Sequence, residues 1–522
     1  MAERIIKAVE DYLYLPVSAG SQEKKLEIFL EGDGGSGEKL FELMIPVDES
    51  GAEEYAYDYF AELPTAAFRG GTLRLCGDLP QAFLEEVKSC GKEPAKAAGA
   101  RPAIHFTAGT GWTNDPNGLI YADGVYHFYF QYNPFNTSWN NMSWGHAVSR
   151  DLLHWEQQDT VLFPDGSGTM FSGCAIAGGK GMAGLPEEAL LYYYTAAGGT
   201  NEWSKGVDFT QKIAYSTDGG RTLTKLSQPC LGTVCRENRD PKVFWHEESR
   251  AYVMVLWLKE DIFGIFRSTD GMHWEQSDEL RLEGAWECPD LFYLRSEEGE
   301  GCWFFWAADG FCYPGEFDGY RFRVHGVKRH AYRNKLPYAA QTYSGVQDRV
   351  ISIPWLRMEN DGRLFTGTYG IPVELSCKRA EDGFILIQKP VRELMECAER
   401  LEPGSVTDEK GQIFYQASGE RKALVVRVTA GEDGLRNLAW EINGSRVEYD
   451  PLEGQFVVDG NRCPVKSGCK ELELIVDDRI LEVFFDGGVQ LGTFLLQEAK
   501  LMFGTSAAGT ETYVLYEVPG CA

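Results

Sequence analysis

Residues 149–155 read S-R-D-L-L-H-W, residues 216–222 read S-T-D-G-G-R-T and residues 268–274 read S-T-D-G-M-H-W. These are three copies of one Ser-x-Asp unit, 67 and 52 residues apart. They fall among runs that read as strands, at 125–132, 190–195, 252–258, 302–307 and 364–369. Ser and Asp side chains bond to nearby backbone and so start turns. A turn repeated at the length of a small antiparallel sheet is the signature a β-propeller leaves in its sequence. From Pro102 to about Lys378 the pattern is all-β, and about 280 residues at this period make about five four-stranded blades. The bland reading is that Ser-x-Asp is simply a common turn starter.

On the C-terminal side, residues 389–401 (K-P-V-R-E-L-M-E-C-A-E-R-L) place apolar side chains at helical spacing and predict a short connecting helix. Beyond it, A-L-V-V-R-V-T, L-E-L-I-V-D and I-L-E-V-F-F-D run apolar or alternate between Gly and Asp turns, which predicts a β-sandwich. On the N-terminal side, residues 1–90 alternate short apolar runs with turns such as Gly32 to Gly37, the pattern of a small β domain. The polar segment Lys92 to Arg101 suits a linker. The expected organisation is a small N-terminal β domain at 1–100, a five-bladed propeller at 101–385, a linker helix at 386–404 and a β-sandwich at 405–522. The N-terminal domain is open to three readings: a sugar-binding accessory, a dimerisation surface or a packing cap.

The chain has 522 residues, enough for two or three cores. Its formal net charge of −28 repels phosphate backbones and anionic bilayers, so neither nucleic acid nor membrane is an expected partner. A homo-oligomer is left open. The 13 cysteines are scattered, without a C-x-x-C pair, and read as reduced thiols. The start, M-A-E-R-I-I-K-A-V-E-D, lacks the apolar core of a signal peptide, so a cytoplasmic location is expected. The 13 Trp, 25 Tyr and 29 Phe fill cores first, but their faces also suit the apolar C–H surfaces of sugars.

Three acids sit near prolines: Asp115 in W-T-N-D-P-N-G (112–118), Asp240 in R-E-N-R-D-P (236–241) and Glu287 in W-E-C-P-D (286–290). A residue before proline is pushed toward extended backbone, which stiffens such segments. Each is an ordinary turn when taken alone. In a propeller, however, the inner strands converge on one axis, where the three could meet. Crowded carboxylates cannot all ionise easily, so one pKa should rise. An ionised and a protonated carboxyl side by side are what glycosidic cleavage needs. Arg239 is expected to hold Asp240 ionised.

W-T-N-D-P-N-G, Q-Y-N-P at 131–134, W-G-H-A-V-S-R-D-L-L-H-W at 144–155, F-S-G at 171–173, R-D-P at 239–241 and E-C-P-D at 287–290 occur in that order. With A-A-Q-T-Y at 339–343 and V-D-D-R-I-L-E-V-F-F-D-G-G at 476–488, they resemble the motif series of the invertase, levanase and inulinase family, glycoside hydrolase family 32. The resemblance covers about residues 105–522. It implies a five-bladed propeller followed by a β-sandwich, and a retaining exo-β-fructosidase acting on sucrose or fructo-oligosaccharides. It further implies Asp115 as nucleophile, Glu287 as general acid/base and Asp240 as transition-state stabiliser. Asn114 would lie beside the nucleophile and Gln131 would bond the sugar. Trp139 and Trp144 would wall the pocket, Phe171 and Ser172 would line it, and Arg239 would assist Asp240. No cofactor and no metal are required. His146, His154 and Cys288 are read as structural. The alternatives are a fructosyltransferase with the same site and, in another class, a non-catalytic sugar-binding protein. The loop N-P-F-N-T-S-W-N-N-M-S before Trp144 and the segment H-A-Y-R-N-K-L-P-Y-A-A-Q-T depart from the family pattern, and both are assigned to the leaving-group side.

Overall fold

The computed structural model describes residues 2–32, 37–51, 54–92, 100–178, 182–407, 412–418, 421–430, 434–505 and 511–520. Most of the expected turn at 32–37 and of the expected linker at 92–101 lies outside these residues.

Five antiparallel sheets follow one another from Gly111 to Pro390. Sheet I comprises Gly111–Ala122, Val125–Asn133, Ser143–Ser149 and Glu156–Gln157. Sheet II comprises Thr169–Ala177, Leu190–Ala197, Thr210–Ser216 and Thr224–Lys225. Sheet III is built from Arg239–His246, Ala251–Lys259, Ile262–Ser268 and Glu275–Arg281. Sheet IV is built from Asp290–Arg295, Gly301–Trp306, Phe311–Phe317 and Phe322–Val324. Sheet V is built from Pro337–Thr342, Val350–Leu356, Val373–Ala380 and Gly383–Pro390. The last sheet is tied to the first: Phe365–Thr366 pairs in parallel with Gly111 and Trp112, while Thr368–Tyr369 pairs with the second strand of sheet V. The expected strand at 364–369 is thus two short pieces broken at Gly367, whose φ of +91° suits glycine and whose missing Cβ leaves room for Thr113 O.

The three Ser-x-Asp units occupy equivalent places, directly after the third strand of sheets I, II and III. In each, the Ser hydroxyl donates to the Asp carboxylate: Ser149 to Asp151 (3.0 Å), Ser216 to Asp218 (2.7 Å) and Ser268 to Asp270 (2.9 Å). The Asp then accepts backbone N–H groups of the residues that follow, as Asp151 does from Leu153 and His154. These side-chain bonds help steer the chain into the fourth strand of each sheet.

The first strands of the five sheets lie together, joined by polar contacts between sheets. Val243 N–H donates to Cys174 Sγ, Gln341 Nε2 to Gly173 O, and Ser344 Oγ to Leu119 O and Ala175 O. The strongest tie is a buried triad. Lys242 Nζ lies 3.1 Å from Asp290 Oδ2 with side chains 7% and 2% exposed, and it donates to Thr342 O and Oγ1. Asp290 also accepts from Thr342 N–H and Oγ–H. This links sheets III, IV and V. Lys242→Met leaves the Asp290 charge buried without its cation, so a loss of about 3–5 kcal/mol of unfolding free energy is expected, read by denaturant titration.

Residues 2–92 form a four-stranded sheet (Ala2–Lys7, Thr72–Gly77, Glu23–Leu30, Glu38–Pro46) and a three-stranded one (Tyr59–Pro64, Tyr12–Val17, Lys88–Cys90). Leu13, Leu15, Leu26, Ile28, Leu43, Ile45, Leu63, Leu73 and Leu75 fill the core between them, and Phe135 from the neighbouring region enters it. After sheet V the helix is shorter than expected. It covers Glu393–Cys397, because Pro390 still belongs to a strand and Glu399–Arg400 pairs with Thr512–Pro519. Two six-stranded sheets then share one core around Leu424, Val426, Trp440, Phe456 and Phe485.

The V-D-D-R-I-L-E motif joins this C-terminal unit to the start of the preceding one. Asp477 accepts the N–H groups of Ala103 (2.6 Å), Ile104 (2.9 Å) and His105 (3.0 Å), and pairs with the His105 ring at 2.8 Å. Glu482 lies 3.4 Å from the other ring nitrogen. Although burial opposes the charge, the two carboxylates raise the His105 pKa from 6.5 to about 9. Its contribution to stability is complete below pH 6.5 and is lost as pH rises through about 9. The thermal midpoint of the wild type should therefore fall more steeply over that interval than that of His105→Asn.

Candidate active site

The site is made by irregularities at one level of the inner strands. Between Thr113 and Pro116, Met170 and Gly173, Arg239 and Lys242, and Tyr338 and Gln341, the first strand of its sheet carries one residue more than its neighbour. Such a bulge re-aims side chains and ends regular pairing. The four bulges carry Asn114 and Asp115, Phe171 and Ser172, Asp240 and Pro241, and Ala339 and Ala340. In sheet IV the same level is reached by Glu287 and Cys288, just ahead of Asp290–Arg295. Asp240, Glu287, Cys288 and Ala339 have φ values of +64°, +31°, +42° and +49°. For non-glycine residues this costs on the order of 1–3 kcal/mol each, strain that surrounding packing must over-determine. The pre-proline expectation of extended backbone therefore fails at Asp240, because the bulge turns the residue into the left-handed region.

The three acids meet. Cys288 Sγ lies 3.5 Å from Asp115 Oδ2 and 3.4 Å from Asp240 Oδ2, and Cys288 N–H donates to Asp240. Arg239 Nη2 donates to Glu287 Oε2 at 2.7 Å, while its Nε is 3.8 Å from Asp240. The guanidinium lies over the Trp257 ring at 3.9 Å. Asp115 is oriented by Ser172 Oγ–H (2.6 Å) and Asn114 Nδ2 (3.3 Å). Asn114 is in turn held by Trp112 Nε1 and by the Tyr369 hydroxyl on its carbonyl. The Tyr338 hydroxyl donates to Glu287 Oε1 at 2.5 Å.

Burial, then the Glu287 charge, raises the pKa of Asp115, against the bonds from Ser172 and Asn114. Asp240 is pushed up to about 7 by burial, with Glu287 and Asp115 adding to it and Arg239 opposing. Arg239 acts on Asp240 in the expected direction, toward ionisation. Burial outweighs the guanidinium, whose close partner is Glu287. The Cys288 thiol is driven well above its usual range by burial and three acidic neighbours, so it is no thiolate nucleophile.

Other expected residues divide. Trp139 is 52% exposed and meets Phe171 edge-on, ring centres 6.2 Å apart, and Phe171 in turn meets Phe209 at 5.7 Å. Trp144 is fully buried, with its indole N–H bonded to Phe171 O. It supports the wall from behind and presents no face to a ligand, because sheets I and II close over it. Gln131 is also buried, its amide nitrogen donating to Met170 O. His146 is stacked on Tyr129 and kept neutral by burial. Cys288 as a bridge between two acids, and Tyr338, Trp257 and Thr195 as supports, the last accepting the Asp240 N–H at 3.0 Å, were not singled out in the sequence. Tyr338 stood only inside the departing segment before A-A-Q-T-Y. Among the described residues, one group brings metal-ligating atoms together: Asp151, His154 and Cys397. There Asp151 is engaged in its turn.

Close acids with unequal surroundings, one held by hydroxyl and amide donors and one by a guanidinium and a phenol, suit two-carboxylate glycoside chemistry. Residues 105–390 match the family model for the glycosyl hydrolases family 32 N-terminal domain. The chain is 30% identical over 474 residues to the levanase of Bacillus subtilis (strain 168), covering 79% of this chain and 68% of that protein. Its fold is similar to that of an exo-inulinase from Aspergillus awamori, with a TM-score of 0.69 at 23% identity, over 81% of this chain and 98% of that one. A glycoside hydrolase family 32 structure from Bifidobacterium adolescentis is similar over 100% of both chains, with a TM-score of 0.68 at 18% identity. That match includes the N-terminal domain.

Proposed function

This chain belongs to glycosyl hydrolases family 32, and from that premise we propose a reaction that assigns each of its three acids a task. The protein is a glycoside hydrolase, a β-fructofuranosidase that releases terminal fructose from β-fructofuranosides. Asp115 attacks the anomeric carbon while Glu287 gives its proton to the leaving oxygen. Water then attacks the anomeric carbon, giving a proton to Glu287 as the bond to Asp115 breaks and its carboxylate is released, and the configuration is retained. Asp240 holds fructose hydroxyls and stabilises the sugar cation. The observation that carries this reading is the meeting of Asp115, Asp240 and Glu287 from three different sheets around one thiol and one guanidinium.

The same reading takes the five sheets as propeller blades around one axis, supported by the 365–369 segment that joins the last to the first. It takes the two six-stranded sheets as a β-sandwich. The substrates assigned are sucrose and short fructans, met in the cytoplasm. All twelve cysteines among the described residues are free thiols, which suits a reducing compartment. Chromatography of products from sucrose, inulin-type oligosaccharides and levan, run side by side, tests the proposal. Fructose as the first product is the expected result. Release from none of the three would overturn the reading, and longer oligosaccharides exceeding free fructose at high sucrose would replace hydrolysis by transfer.

A further inference from the structure

The N-terminal domain meets the loops beside the site through the strand pair Glu23–Leu30 and Glu38–Pro46, and the Tyr59 hydroxyl donates to Pro134 O at 3.2 Å. Glu23 uses both carboxylate oxygens on the loop that follows Asn133: Asn136 Nδ2 donates to one at 2.7 Å and Asn140 Nδ2 to the other at 2.8 Å. Trp139 stands between these two asparagines. Next along the loop, Asn141 and Met44 exchange two bonds, Nδ2 to Met44 O and Met44 N–H to Oδ1, both 2.8 Å. Asn141 mimics a strand partner while its own φ is +44°. The hairpin also holds a second loop. Glu42 accepts the Trp203 N–H at 3.0 Å, and Lys25 pairs with Glu202 at 2.7 Å. That loop runs on to Phe209. The hairpin therefore fixes both loops that flank the aromatic row Trp139, Phe171 and Phe209.

Trp139 combines an exposed indole with anchored neighbours: Asn136 and Asn141 are 6% and 5% exposed. An aromatic face on a fixed loop is a platform for a sugar ring, because little conformational entropy remains to be lost when the ring docks. Its place in the row decides which sugar. Ser172 touches Asp115, Phe171 is the next residue, and Trp139 lies one ring farther out. The fructosyl unit must sit at the carboxylates, so the outer ring meets the units beyond the cleaved bond.

We propose that the N-terminal domain is a specificity element of this active site, and that Glu23 is a positioning residue that holds Trp139 to receive the leaving-group sugars of oligosaccharide substrates. This rests on the β-fructosidase reading above. Steady-state kinetics on sucrose and on a β-fructosyl tetrasaccharide, with thermal midpoints, test it in the full chain. The variants are Glu23→Ala, Glu23→Gln, Trp139→Ala and the double variant of Glu23→Ala with Trp139→Ala. Glu23→Ala is expected to raise KM for the tetrasaccharide about tenfold, with a smaller rise on sucrose and little change in kcat. Glu23→Gln keeps one acceptor and should fall between it and wild type, which also serves if the alanine variant folds poorly. The double variant should match Trp139→Ala, because Glu23 acts through that ring. Unchanged tetrasaccharide KM in both Glu23 variants, equal losses on both substrates, or losses that multiply in the double variant would overturn the proposal. A wild type inactive on both sugars would instead remove the functional reading on which it rests.

Discussion

Asp115→Asn is expected to lower fructose release from sucrose by at least ~10²-fold, and toward ~10⁴-fold, with KM little changed. The amide keeps the shape of the carboxylate and can still accept the Ser172 hydroxyl, but it cannot form the ester to the fructosyl carbon. Folding should not suffer. The Asp115 pKa is raised because its charge is buried beside Glu287, so the ionised form weakens the folded state once pH passes the unfolded value. Removing that charge should leave the thermal midpoint at neutral pH equal to or above that of the wild type. An inactive protein that is more stable would show that the acid is retained for chemistry at the expense of stability. Comparable turnover in variant and wild type would end the nucleophile assignment.

Glu287→Ala is expected to lose ~10²–10⁴-fold on sucrose, the range that proton transfer to a leaving group contributes. The test lies in the leaving group. An aryl fructoside that departs as an acidic phenol needs little protonation, so its first step should lose far less in the same variant. Tyr338→Phe should give a smaller loss in the same direction, because the phenol at 2.5 Å only orients Glu287 Oε1. If Glu287→Ala lost the same factor on sucrose and the aryl fructoside, the residue would be holding substrate, not donating a proton.

The fold was legible where side chains act on their own backbone. The Ser-x-Asp units close their turns through bonds two to four residues long, so these features could be read without neighbours. The helix at 389–401 was over-extended because its apolar spacing also serves a strand end and a short pairing with Thr512–Pro519. Asp115, Asp240 and Glu287 were singled out because their motifs follow the order in which the resembled family carries them.

Three things had no local signal. The bulges that aim Asp115, Ser172 and Asp240 depend on a neighbouring strand being one residue shorter. The burial of Trp144 and Gln131 depends on sheets I and II closing over them. The clamp from Glu23 to Asn136 and Asn140 joins residues 113 and 117 positions apart. By itself the sequence determined the all-β class and the Ser-x-Asp turns, because period and turn chemistry act over a few residues. Tertiary structure alone decided that Arg239 pairs with Glu287, that burial raises Asp240 and that an N-terminal hairpin holds the loop that carries Trp139. Distance and desolvation between groups come into being only when separate sheets are brought face to face.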